Sequence, residues 1–309
     1  VTKRIAQEMV INDKVQVLAG FGLTPLAFAT APVATQSKTP LVVMAAATSS
    51  ITQASPFIVR TSFTVPQVVT VLADWATKNN IKKVVSLVTD YAPGVDSEKF
   101  FSQRFQANGG VVIETLRVPL RSPDFAPFLQ KVRDAKPDAL FVFVPSGAGA
   151  AVMKQFLERG MDKAGIKLIA TGDVTDDDQL NDMGDGALGV VTSHHYSAAH
   201  PSPLNKKFVE AFGKANNGMR PNFMAVGAYD GMRVIYEGAK KTKGEGGEAL
   251  LNAMKGQVFE SPRGPIYIDA QTRDVVHNVY VRKVERINGQ MWNTEIQTVT
   301  DVKDPGKAK

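Results

Sequence analysis

A doubly wound α/β fold in about two lobes is what this sequence predicts, on three observations. Helical and strand periodicities alternate along most of the chain. The strands read as nearly unbroken apolar runs, the pattern of parallel sheets that helices cover on both faces. The length, 309 residues with 44% hydrophobic, suffices for about two cores of roughly 100 to 200 residues each.

Ile5, Met9 and Val10 recur at helical spacing, and Lys14 to Gly20 follows as a short β-rich run ending in glycine. Pro25 to Gln36 is helical and Thr39 to Ala45 a strand. Pro66 to Asn79 is helical and Lys82 to Thr89 an unbroken apolar strand. Three further helix and strand pairs follow: Ser97 to Asn108 with Val111 to Val118, Phe125 to Ala135 with Ala139 to Val144, and Ala148 to Arg159 with Lys167 to Ala170. Gly189 to Tyr196 is a strand running into the proline-rich Ala198 to Pro203, a candidate hinge ahead of helices Pro203 to Ala215 and Phe223 to Lys240. After the flexible Gly244 to Glu248 loop, Gly264 to Ile268 and Asn278 to Val284 alternate as antiparallel strands. Asp301 to Lys309 reads as a frayed tail.

Composition excludes several classes. No cysteine is present, which removes disulfide frameworks, cysteine nucleophiles and thiolate metal sites. The net charge of +6 is dispersed, and its densest stretch, Lys240, Lys241 and Lys243, is too short to grip nucleic acid. Ala139 to Val144 is far shorter than the roughly 18 apolar residues a membrane span needs. No P-loop, G-x-S-x-G elbow or H-E-x-x-H helix occurs, so neither a cofactor nor catalysis is expected.

The chemistry collects at strand ends, where open α/β sheets bind ligands. Gly20-Phe-Gly22-Leu-Thr-Pro25 begins like a dinucleotide fingerprint and fails at its third glycine. What remains is a helix start capped by Thr24 with Pro25 in its first turn, which is either an anion site or an ordinary capped turn. Ala46-Ala-Thr48-Ser-Ser offers hydroxyl and main-chain donors to a carboxylate, and is otherwise an ordinary polar cap. Asp90-Tyr91-Ala-Pro-Gly94, Pro145-Ser146-Gly147 and Gly172-Asp173 are polar in the same way, and the recurrence at one kind of edge is the informative part. Asp173, Asp176, Asp177 and Asp178 lack calcium-loop spacing, and capping of a helix by Thr175 or Asp176, with the remaining acids near the positive end of its dipole, accounts for most of the cluster. His194 and His195 are adjacent on a strand, so they are expected to face opposite ways and not share a metal.

Taken together these residues resemble the type I periplasmic solute-binding proteins of the branched-chain amino acid receptor group. The landmarks are Gly20-Phe-Gly-Leu-Thr24, Ala45-Ala-Ala-Thr48 with Ile51-Thr52, Arg60-Thr61, Tyr91-Ala-Pro-Gly94, Gln155 to Met161, Ala228-Tyr229-Asp230 and Phe259 to Gly264, over nearly the whole chain. The resemblance implies two Rossmann-like doubly wound lobes joined by three crossovers and closing on a small solute. Lobe one would comprise 1–64 and 198–261, and lobe two 65–197 and 262–309. It also implies a strand and helix ahead of Val1 that build the centre of lobe one, so this chain is expected to start after its first βα unit.

By the same resemblance, Leu23, Thr24, Ala46 and Thr48 in lobe one hold the ligand carboxylate, and Tyr91, Ser146 and Asp173 in lobe two close over it. The expected setting is the periplasm, with an ABC permease as partner, a monomeric receptor and no nucleic acid. Two departures bear on the ligand: Phe21 and Leu23 replace a serine cluster, and Asp173 stands where amino acid receptors carry glutamate. Both place an aromatic acid ahead of an amino acid, since Asp173 can accept a hydrogen bond from a phenolic hydroxyl and Tyr91 can stack on a ring. A branched-chain amino acid held by Thr48 and Asp173, or a ligand-sensing regulator of the same fold, is the competing reading.

Overall fold

A computed structural model describes residues 1–121 and 123–307. The first part of the chain forms α1 (Thr2–Ile11), β1 (Leu18–Gly20), α2 (Thr24–Ser37), β2 (Leu41–Val43) and β3 (Ile58–Arg60). Next come α3 (Val65–Lys78), β4 (Lys83–Thr89), α4 (Ala92–Ala107), β5 (Val111–Val118), α5 (Ala126–Ala135), β6 (Ala139–Phe143), α6 (Gly149–Glu158), β7 (Lys167–Thr171), β8 (Val191–His194) and α7 (Pro203–Ala215). The remainder is α8 (Phe223–Thr242), α9 (Gly247–Met254), β9 (Val258–Ser261), β10 (Gly264–Ile268), β11 (Val275–Ile287) and β12 (Gln290–Val302).

The chain divides into two compact units, residues 1–64, 223–278 and 300–309 in unit 1 and 65–222 with 279–299 in unit 2. The chain first passes from unit 1 to unit 2 after Thr64. Unit 1 takes 223–278 where the sequence reading set 198–261, because the Ala198 to Pro203 connection is tied into unit 2. Tyr196 donates to Asn205 Oδ1 at 3.0 Å, and Asn205 Nδ2 donates to the carbonyls of Ala198 and His200 at 3.0 and 2.9 Å. Ser202 caps α7 through the Asn205 amide at 3.0 Å. A proline-rich stretch held this way is a pinned corner rather than a hinge. Beyond the three crossovers implied by the resemblance, the chain passes once more after Val299, within β12.

In unit 1, β1, β2 and β3 form a parallel sheet in that order, and β9, β10 and the first residues of β11 pair antiparallel. Its core gathers Val33, Leu41, Val43, Ile58, Val234 and Met254, all buried. In unit 2 the parallel order is β5-β4-β6-β7-β8, with β11 antiparallel to β8. Val85, Leu87, Leu140 and Val142 are buried in its core, as their unbroken apolar strands predict, and Phe156 of α6 is buried with them.

Near the end of the chain one strand was not read from the sequence and one expectation is corrected. Gln290 to Val302 is a full strand, reached from β11 through Asn288 and Gly289, both with positive φ (50° and 80°) as a tight hairpin turn requires. Nor is the tail frayed: Asp304 is buried and Lys307 pairs with Asp274. Ala308 and Lys309 lie outside the described residues.

Candidate functional site

In unit 1 the candidate residues lie at the carboxyl ends of β1 and β2. After Gly20 the chain turns through Phe21 at φ 70°, a conformation uncommon for a residue with a Cβ, and enters α2. Leu23 occupies the cap position and Thr24 is already the first helical residue, beside Pro25. The capping role expected of Thr24 is therefore corrected. Its hydroxyl instead donates to that of Thr48 at 3.1 Å, both residues being buried. Leu23 is 37% exposed, whereas Phe21 is turned against the core of its own unit.

The loop after β2 is anchored by Arg60, a fully buried side chain that the sequence analysis noted only as a landmark of the resemblance. Its Nη1 donates to the carbonyls of Thr48 at 2.8 Å and Ala46 at 3.5 Å, and its Nη2 to that of Ser49 at 3.0 Å. Its Nε is fixed by Asp274 at 2.8 Å. In a planar trans peptide, each carbonyl directs the next N–H the opposite way. Capture of these three carbonyls therefore turns the amides of Ala47, Ser49 and Ser50 away from Arg60, an array of the kind that binds anions. Ala46 enters differently from expected: its own amide already donates to Phe21 at 2.9 Å, so it offers a ligand a small side chain rather than a donor.

In unit 2 the candidate residues lie at three adjacent strand ends. Because β4, β6 and β7 are neighbours in the parallel sheet, Tyr91, Ser146 and Asp173 emerge side by side along one edge. Tyr91 caps α4 and stacks on Phe143, with ring centroids 6.1 Å apart and planes at 25°. The turn behind it demands Gly94, since a Cβ there would lie 1.7 Å from the Thr89 carbonyl oxygen. Ser146 is turned onto Asp176 through a short hydrogen bond, so its hydroxyl is already committed to that carboxylate.

Asp173 is 94% buried by accessible surface (6% exposed), and its Oδ2 has no hydrogen-bond partner among the described residues. Burial pushes its carboxyl up to about 6, against the opposing pull of the Thr171 hydroxyl, its own N–H and the Arg282 guanidinium. Burial also lifts the Tyr91 phenol above its ordinary range, and the Asp173 charge adds to it. Asp176 is held well above the carboxylate range, first by burial, with Ser146 opposing it and the neighbouring aspartates adding. Asp177 is raised by burial and steadied by Arg282 and by Asn293, whose amide donates to it at 2.9 Å.

Thus the helix cap expected at Thr175 or Asp176, with the other acids near the helix start, is corrected. A short 3-10 turn over Gly172–Thr175 is followed by no α-helix, and Asp173, Asp176 and Asp177 are buried. Arg282, from β11, is their fully buried counter-charge, with Nη1 3.7 Å from Asp177 Oδ2. No local motif marks Arg282; the one signal was an arginine within an apolar strand. His194 and His195 also depart from expectation, with Nδ1 atoms 3.1 Å apart and rings perpendicular. Strand β8 ends at His194, so two-residue alternation stops there. Among the described residues, no group of three His, Asp or Glu side chains could hold a metal ion.

The family model described as periplasmic binding protein matches residues 1–290. The Leu/Ile/Val-binding protein homolog 6 of Brucella abortus (strain 2308) is 45% identical over 309 residues, covering 99% of this chain and 79% of its own length. A crystal structure of an ABC transporter solute-binding protein from Rhodopseudomonas palustris BisB5, in complex with 3,4-dihydroxybenzoic acid, is 60% identical with a TM-score of 0.97. The match covers 99% of this chain and 85% of that one. A second, from Rhodopseudomonas palustris HaA2 in complex with p-hydroxybenzoic acid, is 40% identical with a TM-score of 0.96, covering 99% and 84%.

Proposed function

The chain belongs to the periplasmic binding protein family, and from that premise we propose that it is the receptor of an ABC uptake system for small aromatic carboxylates. In this reading it works in the periplasm as a monomer, delivers its ligand to a permease and catalyses no reaction. The carboxylate is received in unit 1 by Thr24, Thr48 and the outward amides of the 47–50 loop. The ring and its distal hydroxyl are received in unit 2 by Tyr91 and Asp173.

The observation that carries this reading is Asp173, a buried carboxylate with an unpartnered oxygen. An unsatisfied buried acceptor is costly, and a ligand hydroxyl satisfies it. The aromatic acids bound by the two Rhodopseudomonas proteins carry such a hydroxyl, while the name of the Brucella relative, a Leu/Ile/Val-binding protein homolog, is what supports the competing amino acid reading. A thermal-shift and calorimetric panel of 4-hydroxybenzoate, 3,4-dihydroxybenzoate, benzoate, leucine and valine separates them. A ligand at 100 times its Kd stabilises by about 2.7 kcal/mol, and the hydroxylated benzoates are expected to do so. Stabilisation by leucine or valine with none by the aromatic acids overturns the assignment.

A further inference from the structure

The chain segment after β12 lies against the loop that receives the carboxylate. Ser49 donates its hydroxyl to Asp304 Oδ2 at 2.6 Å, and the contact is buried. Asp304 Oδ1 in turn accepts from the Gly306 amide at 2.9 Å, which fixes the tail over Ser49. The approach is close enough that a Cβ on Gly306 would sit 2.5 Å from Ser49 Oγ. Lys307 reaches past it to the Thr52 hydroxyl and to Asp274. Asp274 is the carboxylate that also fixes Arg60, whose guanidinium holds the carbonyls of Thr48 and Ser49.

The loop is therefore gripped twice. Arg60 takes its carbonyls, while the tail takes the side chains of Ser49 and Thr52, and the two grips meet at Asp274. Pinning Ser49 at both its carbonyl and its hydroxyl sets the plane of the peptides on either side of it. Those are the peptides whose amides face away from Arg60. From this we infer that Asp304 is a positioning residue for ligand binding: without touching the ligand, it holds the 47–50 amides in the orientation that receives a carboxylate. The inference rests on the receptor reading above and adds to it a part for a segment that carries no ligand contact.

The test is calorimetric binding of 4-hydroxybenzoate, or of leucine if that is what the wild type binds, beside the melting temperature of each unliganded variant. Asp304→Ala is expected to raise Kd about tenfold, the scale of one lost hydrogen bond to a charged acceptor. Asp304→Asn keeps an acceptor for Ser49 and is expected to stay within about threefold of wild type. Ser49→Ala should match Asp304→Ala, and the double variant should be no worse than either single change, since both cut the same link. A tail that only stabilises the fold would lower melting temperatures and leave Kd unchanged, or give additive losses; either result overturns the positioning role while leaving the receptor reading intact. A wild type that binds no carboxylate of the panel overturns the receptor reading and this inference with it.

Discussion

Replacing Asp173 with asparagine removes a charge that the fold holds against its preference. The carboxyl stands at about 6 against an ordinary 3.8, and each pH unit of displacement corresponds to about 1.4 kcal/mol, so ionised Asp173 weakens unit 2 by about 3 kcal/mol. The sign follows from proton counting. Between these two values the folded protein binds more protons at Asp173 than the unfolded chain does. Its contribution to stability is thus fully present below about pH 4 and is lost as pH rises through about 6. Urea denaturation of wild type and Asp173→Asn should coincide near pH 4. By pH 8 the variant should be more stable by up to about 3 kcal/mol. The same change leaves a ring hydroxyl without its charged acceptor, so 4-hydroxybenzoate should bind at least about tenfold more weakly while benzoate is little affected. A stability difference that does not change with pH, or that widens as pH falls, would refute the assignment of buried charge to Asp173.

Thr48→Ala is expected to weaken carboxylate binding by roughly 1 to 3 kcal/mol without unfolding the protein, measured by calorimetry alongside a melting curve. Arg263→Met leaves Asp230 buried without the guanidinium that meets it at 2.8 Å, both side chains being wholly inaccessible, and should cost about 3 to 5 kcal/mol in urea. Adding Asp230→Leu should recover the part of that loss that comes from the stranded charge, while the part that comes from the Thr61 and Ser62 carbonyls, which Arg263 also holds, remains. Gly94→Ala forces a methyl into the Thr89 carbonyl; more than about 4 kcal/mol of lost stability is expected, and a soluble variant of normal stability would show that the turn before α4 can open.

The alternation of elements was legible because parallel strands buried on both faces leave apolar runs that little else produces. The placing of Thr24, Thr48, Tyr91 and Asp173 just beyond strand ends was legible for the same reason, and their part in binding is the proposal that sheet topology motivates. What organises them was not. Arg60 and Arg282 look like any strand arginine until the fold brings Asp274 and Asp177 to them over separations that leave no spacing to read. Asp176 was read as a cap because a run of acids after a turn commonly is one, and only burial distinguishes the two cases. The β11–β12 hairpin, in contrast, carried a local signal that was missed, the Asn288-Gly289 pair between alternating segments.

Docking of Asp304 on Ser49 joins residues 255 positions apart, and that separation has a consequence in time. At a synthesis rate of about 5 to 20 residues per second, the carboxylate loop waits on the order of 10 to 50 seconds for the residue that completes it. Unit 1 as a whole is assembled from three separate stretches of chain, so it cannot fold as a nascent unit in the way a contiguous domain can. Such long-range closure slows folding and keeps apolar strands exposed meanwhile. Newly made chains should therefore depend on chaperones more than their final stability would suggest. Trapping by a holdase during synthesis should fall on unit 1 strands, and should persist until residues 300–307 are available to the fold.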